Sequence, residues 1–233
     1  MNYYTWLNLF SNEEEKAHMD KETVDKWYLS FSNVEEISYD DSLKLNNYSH
    51  ATHCMIYAPY NVLTFSNYWT RAAIFMQIRF DGFLGFPGGL VDKSDKSFEM
   101  SLIRELEEEI GWDCKKCEIH RQDHLMSNII KNQELCLHFY VIKIQYKDFM
   151  ELEKNCLTAH DYGKEVMGFC RVPLYTMNDG YRGFPAFLNQ NFIGHSKYQL
   201  LKSLSSTGIM SDSEIKQASS PNPYSIKISH TNK

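Results

Sequence analysis

Three glutamates, Glu105, Glu108 and Glu109, stand at i, i+3 and i+4 in the run Arg104-Glu105-Leu106-Glu107-Glu108-Glu109-Ile110-Gly111-Trp112. In a helix such positions share one face. At about 100° per residue, Leu102, Ile103, Leu106 and Ile110 fall on a neighbouring apolar arc. The pattern predicts a helix that buries one flank and points carboxylates out of another. Like charges on adjacent turns repel, so the cluster destabilises an isolated helix. A divalent cation removes that cost, and a hard cation such as Mg²⁺ takes oxygen ligands while keeping waters, which suits a phosphate site. The plainer alternative is a solvated acidic face. The Gly-rich entry Gly85-Phe86-Pro87-Gly88-Gly89, the arginine and the terminal Gly111 favour the metal site.

Strands are predicted on both sides of this helix. His53–Tyr57 and Asn61–Phe65 read as short strands around a Pro59 turn, and Ala72–Phe80 as a longer one ended by Asp81-Gly82. The helix is expected to start near Ser94–Ser97, with Ser94 or Asp95 as its cap and Gly111 at the C′ position. Leu135–Ile144 is nearly continuously apolar, the pattern of a strand buried on both faces. A short helix over Asp148–Cys156, a polar loop over Thr158–Glu165, a strand over Val166–Val172 and a helix from Phe187 to about Leu204 complete the core. Strands flanking one amphipathic helix, followed by a C-terminal helix, give an α+β or α/β/α sandwich.

Length and charge set the frame. A chain of 233 residues, 43% hydrophobic, fits one domain with appendages. The net charge of −6 resides in residues 1–45, where ten acidic residues face four lysines, so the remainder is near neutral. That excludes a generally basic nucleic-acid binder, and any RNA contact must be a local patch. Residues 1–45 read as an acidic N-terminal extension with scattered aromatics. A helix over Glu13–Trp27, a docking arm and a merely appended tail are all compatible with it. Residues 46–205 form the folded domain, and 206–233 a polar flexible tail. No apolar run reaches transmembrane length and no signal peptide precedes the chain, so an intracellular protein with no membrane partner is expected. The six cysteines then read as reduced thiols. Cys114-Lys-Lys-Cys117 lacks a second pair, and zinc needs four ligands.

The helix and its entry resemble the Nudix box, G-x5-E-x7-R-E-U-x-E-E-x-G-U with U apolar. The Arg-Glu-Leu-x-Glu-Glu-x-Gly-Trp half matches at every fixed position. The first half departs from it. Gly89 lies one residue too far from Arg104, and Lys96 stands at the usual early Glu position, with Asp95 beside it and Glu99 further on. The snoRNA-decapping group of the family, which also hydrolyses inosine and deoxyinosine diphosphates, shows this longer turn. The resemblance runs from about His50 to Leu204. It implies the Nudix α/β/α sandwich, a mixed sheet between helices.

The resemblance also implies roles. Glu105 and Glu109 would be metal ligands, Glu108 would complete the set, and Gly88 would contribute its carbonyl; Mg²⁺ or Mn²⁺ is the expected cation. Arg104 would orient a metal-binding glutamate. Glu165, in the loop Asp161-Tyr-Gly163-Lys-Glu165, would be a distal ligand or base. His53, Arg79, Phe86 and Gln199 would hold the purine nucleotide. The residue types suit these roles. Phe86 offers a stacking face, His53 and Gln199 offer donors and acceptors, and Arg79 can clamp a phosphate bidentately. The expected activity is decapping of snoRNA or mRNA together with hydrolysis of inosine and deoxyinosine di- and triphosphates. A homodimer in nucleus (nucleolus and nucleoplasm) and cytoplasm would follow. A non-catalytic RNA-binding adaptor of the same fold and an ADP-ribose or sugar-nucleotide pyrophosphatase are the competing functions, because the box handles only the pyrophosphate.

Overall fold

The computed structural model describes residues 34–219. The helix expected over Glu13–Trp27 and the tail beyond residue 219 lie outside them. In chain order the elements begin with β1 (Val34–Ile37), α1 (Tyr39–Ser42), β2 (Ser49–Pro59), β3 (Leu63–Thr64), β4 (Tyr68–Trp69), β5 (Ala72–Arg79), β6 (Leu84–Gly85) and β7 (Gly88–Leu90). After these come α2 (Phe98–Ile110), β8 (His124–Ile130), β9 (Leu135–Lys143), α3 (Tyr146–Asn155), β10 (Val166–Arg171), α4 (Phe184–Phe187), α5 (Ser196–Ser206) and α6 (Asp212–Ala218).

An eight-stranded sheet runs β1-β8-β9-β2-β5-β10, with β6 added to β5 and β7 to β2. The central pair β2 and β9 is parallel over nine residue pairs, and its neighbours are antiparallel. Strand alternation sends β2 side chains to opposite faces. Cys54, Ile56 and Ala58 join Leu102, Leu106 and Ile110 of α2 and Phe149 of α3 on one side. Met55 joins Phe139, Phe184, Leu200 and Leu204 on the other, beneath α4 and α5. This is a mixed sheet between helical layers, the α+β sandwich that the resemblance implies. β9 has the predicted double burial, with Tyr140 and Ile142 facing α2 and Phe139 and Val141 facing α5.

Several expectations are corrected. The strand at His53–Tyr57 extends over the whole of β2. The one at Asn61–Phe65 shrinks to β3, because Phe65 and Ser66 take positive φ and turn the chain into β4. β8 is a strand that the sequence pattern conceals: a bulge between His124 and Met126 breaks its alternation. The helix over Phe187–Leu204 divides into α4 and α5. Between them Leu84 binds Asn191 and Ile193 through the backbone, so the chain runs extended alongside β6. Both outer boundaries also move. β1 pairs with β8 along its whole length, placing residues 34–37 in the sheet. Beyond residue 205, a capping box at Ser211 and Glu214 starts α6, and Met210 and Ala218 are buried in the core.

Candidate active site

Helix α2 is fixed at both ends and along one flank. Ser97 caps it by accepting from the Met100 N–H, so the cap is neither Ser94 nor Asp95. Gly111 ends it in the left-handed conformation expected of a C-terminal glycine. Leu102, Leu106 and Ile110 are fully buried against the sheet.

The carboxylates do not project freely from the other flank. Glu105 is 6% exposed and Glu109 3%, while the Glu108 side chain is 44% exposed. The cover comes from β7 and β5, which close over the arc next to the apolar stripe. Glu109 accepts from the Gly88 N–H at 2.8 Å and from Gln77 Nε2 at 3.1 and 3.2 Å. Glu105 lies against Gly89 so closely that a Cβ there would sit 2.4 Å from its Oε2. Gly88 is required for a different reason: its φ is +131°, and a Cβ would meet the Thr52 carbonyl of the paired strand. Burial pushes the pKa of both glutamates up. Arg104 opposes this at Glu105; at Glu109 the Gly88 N–H opposes it and the neighbouring Glu105 charge reinforces it.

Arg104 ties the cluster together. Its guanidinium donates to Glu105 Oε1 at 2.8 Å, to Asp95 Oδ2 at 2.9 Å and to the Leu90 carbonyl at 3.0 Å, with Glu108 Oε2 at 3.5 Å. Asp95 therefore supplies the early acid that the Nudix pattern places at Lys96. Counted forward from Gly89 the five-residue spacing reaches Asp95, and the extra residue falls between Asp95 and Arg104. Gln77 and Asp95 are site residues that the sequence reading misses. Asp95 is visible in that forward count, but no signal marks Gln77 within an apolar strand.

The loop carrying Glu165 reaches the last turn of α2. The Asp161 N–H donates to the Glu108 carbonyl at 2.9 Å, and the Asp161 carbonyl receives the N–H groups of Lys164, Glu165 and Val166. The Phe80 N–H donates to the Glu165 carbonyl, fastening the loop to the end of β5.

The nucleotide candidates divide. His53 is half-buried on β2 opposite Gly88, and burial, with the Arg79 charge, pushes its imidazole down to about 3. It is thus neutral, with one donor and one acceptor. The Arg79 fork is already engaged by Asp81, at 2.9 Å from Nη2 and 3.2 Å from Nε, so a phosphate there competes with Asp81. The Phe86 ring is 2% exposed and packs edge-on against Phe139 at 4.9 Å. Gln199 is buried on α5 at 3% exposure. A cleft lined by Trp112, Lys116, Gln145 and Asp148 opens beyond Gly111, past the C-terminal end of α2.

The donor set fits a hard divalent cation. Its oxygens come from Glu105, Glu108 and Glu109, two of them buried at a desolvation cost that one arginine offsets in part. Gly89 keeps open a cradle that a Cβ would fill, and Gln77 Oε1, on the amide that holds Glu109, is a buried acceptor with no protein partner among the described residues.

Known proteins are similar to this chain in sequence. The family model described as Nudt16-like, U8 snoRNA-decapping enzyme-like, matches residues 50–210. A U8 snoRNA-decapping enzyme of Xenopus laevis is 42% identical over 195 residues, 83% of this chain and 89% of the relative. One of Homalodisca vitripennis is 44% identical over 184 residues, 79% of this chain and 94% of the relative. A Tudor-interacting repair regulator protein of Homo sapiens is 34% identical over 187 residues, 79% of this chain and 87% of the relative.

Proposed function

The chain belongs to the Nudix hydrolases, in the U8 snoRNA-decapping enzyme-like family, and from that membership we propose that it removes the cap of a small nucleolar RNA and hydrolyses inosine and deoxyinosine diphosphates at the same site. The observation that carries this reading is the pair of buried carboxylates, Glu105 and Glu109, held against Gly88 and Gly89. Such a pair is costly to bury and serves no packing purpose.

A phosphoanhydride resists water because its oxygens repel an incoming nucleophile. A divalent cation, Mg²⁺ or Mn²⁺, supplies neutralisation of those oxygens and activation of the attacking water. The chain's own residues do the rest. Glu105, Glu108 and Glu109 would hold the cation. Arg104 keeps Glu105 oriented while Asp95 anchors Arg104 from the other side. Glu165, on the loop stapled to the Glu108 carbonyl, accepts the proton of the attacking water. Neutral His53 and Gln199 read the purine, and Arg79 exchanges Asp81 for phosphate.

A binding role is the second reading, since relatives named Tudor-interacting repair regulators align over most of the chain. The complete Arg104, Glu105, Glu108 and Glu109 set favours hydrolysis. The test is a parallel panel of inosine diphosphate, inosine triphosphate, capped RNA and ADP-ribose with Mg²⁺ and with Mn²⁺. The expected result is the highest kcat/KM on inosine diphosphate and capped RNA. Preferred turnover of ADP-ribose, or no turnover of any substrate, would overturn the proposal.

A further inference from the structure

Beneath the first turn of α2, and apart from the glutamates, the sheet gathers three side chains of a different chemistry. His50 lies on β2; Cys136 and His138 lie two residues apart on the neighbouring β9. Their ligating atoms all fall within 4.8 Å of one another. We propose that His50, Cys136 and His138 form a second cation site, one for a transition metal of the zinc class and separate from the hard-cation site of the glutamates.

The donor set is the first argument. Two imidazoles and a thiolate favour zinc or copper(I), whereas magnesium and manganese prefer carboxylate and water oxygens. The second argument is the outer shell. A ligating histidine keeps its orientation by engaging a partner through its other ring nitrogen. His50 engages the Leu45 carbonyl through Nε2 at 3.1 Å, and His138 engages Ser127 Oγ through Nδ1 at 2.9 Å. The remaining nitrogens, His50 Nδ1 and His138 Nε2, face each other at 2.9 Å. Phe98 stacks on both rings, at 5.0 and 3.8 Å, and holds them nearly coplanar.

Reach is the third argument. A tetrahedral zinc with bonds of about 2.0–2.1 Å to nitrogen holds two such nitrogens about 3.3 Å apart. The two rings must therefore part by roughly half an ångström, and His50, half-buried, is the one with room to move. Cys136 and His138 are fully buried, which shields the metal–sulfur bond. Three protein ligands leave the fourth position to water.

The protons balance. The Leu45 carbonyl can only accept, so His50 carries its proton on Nε2 and accepts at Nδ1 from His138 Nε2–H. His138 Nδ1 in turn accepts from the Ser127 hydroxyl, which accepts from His124 Nε2–H at 2.8 Å. To expose a lone pair to the metal, His138 moves its proton to Nδ1 and donates to Ser127. The Ser127 hydroxyl then turns to His124 Nε2, and His124 holds its proton on Nδ1. No imidazole changes charge. The one proton released to solvent is that of the Cys136 thiol, replaced by the sulfur–metal bond.

The test uses the full chain stripped of metal and titrated with Co²⁺, a spectroscopic substitute for zinc. The expected result is a sulfur-to-cobalt charge-transfer band together with the visible absorption of tetrahedral cobalt, both abolished by Zn²⁺ and untouched by excess Mg²⁺. Cys136→Ser should lose the charge-transfer band and His50→Ala should weaken cobalt binding at least tenfold. The double variant Cys114→Ser/Cys117→Ser should keep both signals. Cys136→Ser should hydrolyse nucleotide with Mg²⁺ within about twofold of the unaltered protein. If the serine disturbs folding, Cys136→Val fills the same buried position without a ligand. A folded protein that gives no charge-transfer band, or a band that survives both Cys136 variants, overturns the proposal.

Discussion

Replacing Gly89 by alanine separates the reaction from the fold. The new Cβ would stand 2.4 Å from Glu105 Oε2 and 2.5 Å from its Cδ, where ordinary contact begins at 3.4 Å. The carboxylate must therefore retreat by about 1 Å. It can do so, because the clash is with the far end of a side chain; its Arg104 partner follows or is lost. A displacement of about 1 Å at a reacting centre costs about a hundredfold in rate, equivalent to about 2.7 kcal/mol of barrier. The cost in stability is small, about 1 kcal/mol or less, since the backbone at Gly89 is ordinary strand. Gly88→Ala is the control: its Cβ strikes the Thr52 carbonyl from a backbone of positive φ, so β7 must leave β2 and the protein unfolds at a lower temperature. The assay is kcat/KM on inosine diphosphate and capped RNA at fixed metal, beside thermal melts of both variants. A Gly89→Ala protein with unaltered kcat/KM would refute the placement of Glu105 in the reacting geometry. A Gly88→Ala protein as stable as the original would refute the steric reasoning itself.

Glu109→Gln should lower turnover at least a hundredfold. It should also flatten the pH dependence of stability in the metal-free protein. Because burial raises the pKa of Glu109, the folded state binds that proton more tightly than the unfolded chain does, and stability falls as pH rises above the ordinary carboxylate range. Melts across pH with chelator present check both the slope and its loss in the variant. Asp95→Asn keeps the shape but removes the charge facing Arg104; a roughly tenfold fall in kcat with KM little changed is expected, read from initial rates. His53→Ala and Gln199→Ala should each narrow the preference for inosine over adenosine diphosphate by about five- to a hundredfold, the worth of one hydrogen bond to the base, and rate ratios measure it.

Helix α2 is legible in the sequence because everything that fixes it is local. Leu102, Leu106 and Ile110 repeat at the helical period, and Gly111 ends the run. The burial of Glu105 and Glu109 is not legible, because their cover is β7 and Gln77, brought in by sheet pairing rather than by helical spacing. The same holds for Phe86. Its place in the chain puts it beside the site, but its contact with Phe139 of a distant strand decides which way the ring turns. β8 hides behind its bulge, since one inserted residue destroys the alternation on which strand reading depends. At the C-terminus the Ser-rich composition outweighs a capping box four residues long, although Ser211 and Glu214 are in plain view.

One consequence concerns the strand that lies outside the family match. The recognisable core, residues 50–210, ends on one side at β8, whose outer row of N–H and C=O groups is capped by only four residues of β1. An uncapped row of that kind is a template for any other extended chain. β1 occupies it and turns two exposed acids, Glu35 and Glu36, toward solvent, with Lys131 holding Glu35 in place. Part of the acidity of the N-terminal segment thereby becomes a safeguard against self-association. A protein cut back to the family core would retain every glutamate of the candidate site and leave the β8 edge of its sheet unpaired.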